Sequence, residues 1–326
     1  MAINSLYSPT DPRVQIVWDP TTIREAMTCN RRYRFGMRQG WRLQSNAHAN
    51  WGHMWHSTQE VFDETLAGLS LGGKMSPTYA KDLALAKALR HAHAISADFE
   101  DHDDGKKTRA NLIRALCWYV DEMPADKESW FLPWRMPNGQ LAIEWPFLLP
   151  LPITTRWGEP YMLCGTLDQI TVWGGEHYIR ERKTTGTTLG ANYFNRYTPD
   201  PQIDTYDLVG WLLFGDTLQL QGVLLEAAQV AVNFVRFVRQ PIYRTPGQRE
   251  EWMAKLCRWL KEQEDLAIAD VDEYNPAACA LYGGCPFNRV CNKDPGVRHM
   301  YLKGGDYKQE FWNPLSKHLP QETADG

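Results

Sequence analysis

Hydrophobic and polar positions follow two different periods along this chain, and the change from one to the other divides it. Up to Pro124 apolar residues recur every three or four positions, the spacing of one helix face. Helices are predicted over residues 19–40, 47–69, 78–99 and 106–122, the first with Thr22 and Glu25 spaced as a capping box and Gly36 or Gly40 as its stop. Beyond Pro124 the pattern turns extended. Pro137-Asn138-Gly139 signals a turn before a strand over 140–149, and residues 163–185 read as a hairpin: two runs rich in Leu, Ile, Val, Thr, Trp and Tyr flank Gly174-Gly175, a dipeptide that accepts the positive φ angles of a two-residue turn. A helix over 201–214, two strand-like runs within 218–244 and a long helix from Thr245-Pro246-Gly247 to about 269 follow, the last with Trp252, Leu256, Trp259 and Leu260 on its apolar stripe. After about Asp306 the chain is polar with scattered aromatics, and its end reads as a frayed tail.

The hairpin carries the first chemical signal. If its loop is the two glycines, Trp173 pairs with Glu176 and Asp168 lies directly opposite Glu181, on the face that also carries Lys183. Two opposed carboxylates make a hard oxygen site for Mg²⁺ or Mn²⁺, and an adjacent amine can orient water and offset charge on a phosphate. A solvated sheet face with a cross-strand ion pair has the same alternation.

Composition narrows the class. With 326 residues the chain is long enough for a large core, as two domains or as one elaborated α/β domain. No run of about 18 apolar residues and no leader pattern is present, so a cytoplasmic protein without membrane contact is expected. A net charge of −4 shows no general basic excess, so any nucleic-acid contact must use a local patch. The densest such patch is Arg31, Arg32, Arg34, Arg38 and Arg42, interleaved with Tyr33, Phe35 and Trp41. Guanidinium groups with aromatic rings suit phosphates and stacked bases, although an ordinary helix face has the same make-up.

Seven cysteines without an export signal point to thiols or metal ligands rather than disulfides. Cys279, Cys285 and Cys291 fall in a Gly- and Pro-containing loop, and three thiols need a fourth ligand for Zn²⁺ or a four-iron cluster. Cys29 is in a polar context, whereas Cys117, Cys164 and Cys257 sit among apolar residues as buried free cysteines do. Spacing alone leaves both the fourth ligand and the metal open.

Taken together, Gly52 to His56 as G-x(3)-H, the strand acid Glu144, Gly165-Thr166-Leu167-Asp168, Glu181-Arg182-Lys183, and Gln202 with Tyr206 as Q-x(3)-Y resemble the PD-(D/E)XK nucleases of the RecB/AddB type, including their iron-sulfur branch, to which CRISPR-adaptation nucleases and many phage-encoded exonucleases belong. The resemblance runs from Cys29 to Cys291. It implies an α/β fold: a central mixed β-sheet flanked by helices, a restriction-endonuclease-like core, with an N-terminal helical region (1–130), the nuclease core (131–270), a C-terminal cysteine segment (271–310) packing back on Cys29, and a tail (311–326).

The same resemblance implies a metal-dependent DNA exonuclease. Asp168, Glu181, His56 and Glu144 would hold Mg²⁺ or Mn²⁺; Lys183, Asp168, Glu181, Gln202 and Tyr206 would carry catalysis. Arg31, Arg32, Arg34, Gln202 and Tyr206 would contact DNA, and Cys29, Cys279, Cys285 and Cys291 would hold a 4Fe-4S cluster, with zinc as the alternative. The family often ends in C-x2-C-x5-C, whereas this chain has C-x5-C-x5-C. A non-catalytic nucleic-acid-binding or assembly protein on the same scaffold is the rival, and it gains nothing from carboxylates beside phosphates. A small-molecule metallohydrolase lacks an H-x-E or H-E-x-x-H arrangement here.

Overall fold

The computed structural model describes residues 5–44, 47–70, 76–101, 104–126, 129–215, 217–280 and 284–316, the side chains of 47–49 excepted; residues 281–283 of the cysteine segment and the tail from 317 lie outside them. In chain order the elements are β1 (Val17–Trp18), α1 (Pro20–Thr28), α2 (Asn30–Tyr33), a π-helical turn (Arg34–Arg38), β2 (Trp41–Leu43), α3 (Ala47–Ser70), α4 (Pro77–Ile95) and α5 (Arg109–Asp121). Then come β3 (Leu132–Pro133), β4 (Ile143–Thr154), β5 (Pro160–Trp173), β6 (Glu176–Thr185), α6 (Ala191–Asn195), α7 (Pro201–Phe214), β7 (Leu220–Val230), β8 (Val235–Ile242) and α8 (Pro246–Ile268). Short helices α9 (Pro276–Cys279), α10 (Asn288–Cys291) and α11 (Arg298–Leu302) and strand β9 (Tyr307–Gln309) close the described chain. This is a mixed α/β fold with a central mixed sheet flanked by helices, the restriction-endonuclease-like class. Among the described residues no helix is long and apolar enough to cross a membrane.

Contacts divide the chain into two units, residues 1–45, 146–166 and 247–326 in one and 46–145 and 167–246 in the other. In the second, β6 runs antiparallel to β5 and parallel to β7, and β8 is antiparallel to β7. Helices α3 and α5 pack against β6 and β8, and α7 against β6 and β7. Trp51, Trp55, Phe62 and Leu66 of α3 form the core with Leu112, Leu116 and Tyr119 of α5 and Val230 and Phe237 of the sheet. Helix α4 joins through Ala80, Ala84, Ala88 and Ala92, a stripe of small side chains at i, i+4 spacing that lets helix backbones approach closely. Strand β7 is buried almost throughout, as expected of a central strand that makes a parallel pair.

In the other unit β1 pairs in parallel with the first half of β5, Val17 opposite Met162, and β2 pairs antiparallel with β9. The expected helix over 19–40 is corrected here. Asp19, not Thr22, caps α1, its carboxylate accepting the Thr21 and Thr22 N–H groups ahead of Pro20 at the first turn. At Cys29 the backbone becomes extended (φ −168°, ψ 118°) and the helix breaks. Long-range bonds compensate: Arg31 N–H donates to the Glu273 carbonyl at 3.0 Å, and Asn275 donates from its side chain to the Thr28 carbonyl at 3.0 Å. Docking of a distant segment overrides local helix propensity.

Candidate active site

The glycine turn forms as its dipeptide predicts: Gly174 and Gly175 have φ of 60° and 82°, and Trp173 stands opposite Glu176. The ladder keeps that register down to Gln169 opposite Arg180 and ends there, one pair short of the expected Asp168–Glu181 pair. Asp168 instead turns its carboxylate to the strand, its Oδ2 accepting the Arg182 N–H at 3.1 Å. Satisfying a backbone donor with a side chain replaces the ladder bond at that point.

Strand alternation then sorts β6 into two chemistries. Glu181 and Lys183 share one face, where Lys183 Nζ donates to Glu181 Oε1. Helix α7 crosses over this face. Its Gly210 makes the approach possible, because a Cβ there would lie 2.5 Å from Ile179 Cδ1, and the Asp200 carboxylate caps its first turn beside Pro201. Gln202 consequently bridges the pair, accepting from Lys183 Nζ at 2.8 Å and donating from Nε2 to Glu181 Oε1 at 3.0 Å. The same nitrogen is 3.2 Å from the Tyr206 hydroxyl, one turn on. An amide so placed has one orientation, oxygen to the ammonium and nitrogen to the carboxylate.

Helix α3 brings His56 to Asp168, Nδ1 lying 3.4 Å from Oδ2, with side-chain exposures of 29% and 14%. Burial pushes the His56 pKa down, Asp168 opposes this, and Arg182 and Lys183 add to the depression; Glu144 is close enough for its charge to register. Glu144 itself has φ +47°, a left-handed conformation that a residue with a Cβ rarely adopts and that clusters at functional sites. Pattern reading had no means of seeing that strain. Gly52, the glycine of G-x(3)-H, faces Thr184 of β6, and a Cβ there would meet Oγ1 at an ordinary 3.6 Å.

The opposite face of β6 was missed by sequence reasoning. Arg180 and Arg182 are 0% and 1% exposed, and bond to Asp63, Gln169 and, for Arg180, Glu226 and Tyr119. Alternation of Arg with Glu and Lys in the R-E-R-K run was the available signal.

The arginines of the basic stretch have acidic and aromatic partners within the chain. Arg31 pairs with Asp272 at 3.4 Å and lies over the Tyr274 ring, Arg32 grips Glu25 at 2.5 and 2.7 Å, and Arg34 pairs with Asp270 at 3.1 Å. Arg31 places its charge near Cys291, and Arg32 near Cys285. Burial raises both thiol pKa values, and the neighbouring sulfurs of Cys29 and Cys279 push that of Cys285 further in the same direction. Cys29 and Cys285 act likewise on Cys291. Asn275 N–H points to Cys29 Sγ at 3.5 Å, and Cys279 Sγ is 3.8 Å from the Asn275 carbonyl. Cys285 thus feels Cys29 and Cys279, and Cys291 feels Cys29 and Cys285, while Cys164 is buried and Cys117 and Cys257 lie in helices α5 and α8.

Among the described residues, no three or more His, Cys, Asp or Glu side chains are grouped so that they could hold a metal ion. The donor chemistry still discriminates. Carboxylate oxygens of Asp168 and Glu181 with an imidazole nitrogen suit Mg²⁺ or Mn²⁺, and an all-sulfur set suits iron or zinc.

No curated protein matches the chain. Among solved structures, one described as a putative exonuclease from Eubacterium rectale shares 10% identity over 94% of this chain and 99% of its own, with a TM-score of 0.45. The protein SSO0001 shares 13% over 85% and 86%, with a TM-score of 0.33. The sequence profile of the PD-(D/E)XK nuclease superfamily matches residues 18–292, most of the chain and all the residues just described, and this chain belongs to that superfamily.

Proposed function

We propose that this nuclease is a divalent-metal-dependent DNA exonuclease of the RecB/AddB type, with Asp168, Glu181 and His56 as its metal-binding set, Glu144 at its edge, and Lys183 as its essential amine. The observation that carries the reading is the bonded set Lys183–Glu181–Gln202–Tyr206 beside Asp168 and His56. Mg²⁺ or Mn²⁺ supplies Lewis acidity toward the scissile phosphate when bound. Lys183 places its ammonium where charge builds on the phosphoryl oxygens and directs the attacking water. Gln202 fixes the directions of Lys183 and Glu181, Tyr206 holds Gln202, and both line the path of the DNA strand. Desolvation keeps His56 neutral near pH 7, so its ring nitrogen can act as a ligand or orient one.

Cys29, Cys279, Cys285 and Cys291 are the ligands of a 4Fe-4S cluster in this reading, tying the break between α1 and α2 to the α9–α10 segment. Support comes from the charges that Cys29 and Cys279 place near Cys285, and Cys29 and Cys285 near Cys291, and from Arg31 and Arg32 beside them, since cationic neighbours favour thiolates. Brown protein with iron and inorganic sulfide bears this out; stoichiometric zinc without iron replaces it.

The deciding assay incubates purified protein with end-labelled linear and circular DNA, single-stranded and duplex, with Mn²⁺. Linear DNA is degraded progressively from its ends and circles persist. Asp168→Ala and Lys183→Ala each lose more than about 100-fold in kcat. Cleavage of circles at the linear rate overturns the exonuclease assignment, and either variant cutting at wild-type rate overturns the residue roles.

A further inference from the structure

The buried charges behind β6 close a circuit with the site in front. Asp63 lies about two turns beyond His56 on α3. Its Oδ2 accepts from Arg180 Nη1 at 3.0 Å and from Arg182 Nη2. Gln169 Oε1 accepts from the same two guanidinium groups, at 3.2 Å and 2.6 Å. Arg182 is therefore anchored twice: its guanidinium by Asp63 and Gln169, and its backbone N–H by Asp168 Oδ2 at 3.1 Å. That same Asp168 oxygen faces His56 Nδ1 at 3.4 Å. From His56 along α3 to Asp63, across to Arg182, through its amide to Asp168 and back to His56, every link is a helix segment or a direct polar contact.

We infer that Asp63 and Arg182 are positioning residues: their buried pair sets the spacing of helix α3 from strand β6, and so holds His56 and Asp168 at the distance the metal-binding set requires. The inference rests on the nuclease reading above for its catalytic consequence, though not for its structural one. Both bonds leave Arg182 Nη2, so one guanidinium nitrogen is held between a carboxylate and an amide oxygen, and these charge-assisted bonds fix how far the side chain reaches from β6. Glu226 belongs to the same buried network but meets chiefly Arg180, at 2.8 Å, and Arg239, at 2.7 Å. Its distance to Arg182 is 4.0 Å. It is thus a control for the stability effect of disturbing buried charge.

Asp63→Asn, close in shape, and Arg182→Lys, which keeps a cation on a shorter side chain that stops short of the Nη2 position, are compared with Glu226→Gln. In metal-free protein, amide hydrogen exchange at Arg182 is expected to accelerate at least about tenfold in the first two, with the β7–β8 ladder unchanged. With Mn²⁺ and linear DNA, kcat is expected to fall at least about tenfold with KM within about twofold, the pattern of lost transition-state placement. Glu226→Gln is expected to lower the melting temperature comparably while leaving Arg182 exchange and kcat within about threefold of wild type. Unchanged Arg182 exchange in both Asp63→Asn and Arg182→Lys overturns the proposal, as does loss of kcat in all three variants in proportion to lost stability. Because exchange is read without metal or DNA, a wild-type protein inert toward DNA sinks the nuclease reading while exchange still judges the clamp.

Discussion

Lys107, ahead of α5, provides a test of the structure that is independent of any substrate. Its side chain is 3% exposed, its Nζ has no hydrogen-bond partner among the described residues, and it rests 4.1 Å above the centroid of the Trp51 ring. Burial pulls its pKa from 10.5 down to about 7, against a weaker upward pull from Asp104. Above pH 7 the folded chain gives up a proton that the unfolded chain keeps until its lysine titrates, so the unfolded state binds more protons and stability rises with pH. Each full pH unit with one proton of difference is worth about 1.4 kcal/mol, and Lys107 is half titrated at the start, which gives about 2 kcal/mol between pH 7 and 9. The ring attracts the ammonium by about 0.5–2 kcal/mol and works against burial, lowering the expected gain to about 1–2 kcal/mol. Urea unfolding of wild type and Lys107→Met at pH 7, 8 and 9 isolates this contribution, since all other groups cancel in the difference. The variant is expected to be the more stable protein at pH 7, with the gap closing as pH rises. A gap that stays constant across the three pH values refutes a buried, weakly basic Lys107.

Three further outcomes follow from named contacts. Gln202→Ala, removing the amide that fixes Lys183 and Glu181, should lower kcat by about 10–100-fold with little change in melting temperature, as measured on linear DNA with Mn²⁺. Gly210→Ala should cost about 1–3 kcal/mol in denaturant unfolding, because its methyl would collide with Ile179 and Leu220 where α7 crosses β6. Arg34→Ala should raise the DNA KM about tenfold if the basic stretch meets DNA as expected, because its part-exposed pair with Asp270 is weak enough to be exchanged for a phosphate; a KM within about twofold would assign Arg34 to that pair alone.

What could be read from the chain was local. The hairpin follows from Gly174-Gly175 and a two-residue period, and its register holds at Trp173–Glu176 and Gln169–Arg180. Helix α7 over Pro201–Phe214 and the i, i+4 placement of Gln202 and Tyr206 needed nothing beyond their own segment. What escaped depends on partners far along the chain. The break at Cys29 is supported by Glu273 and Asn275. The ion pairs of Arg34 with Asp270 and Arg31 with Asp272 were equally out of reach, because their acids are more than two hundred residues away. The two units are likewise built from interleaved segments, an arrangement that composition along the chain does not encode.

The step that joins these observations is the two-sidedness of β6. With alternating faces, the run from Arg180 to Lys183 delivers its acid and amine to the site and its guanidinium groups to the interior, and neither placement is possible without the other. A slip of one residue would put Glu181 and Lys183 against Asp63 and Glu226, a carboxylate among carboxylates, and would leave two arginines beneath Gln202. The buried ion pairs therefore contribute most as a register lock, and the weak net stability of such pairs is no objection to that role. The consequence is that the face carrying Glu181 and Lys183 is specified from behind: its register depends on the buried partners of Arg180 and Arg182, Asp63 of α3 and Gln169 of β5, which is why three letters of sequence fix so little of the geometry by themselves.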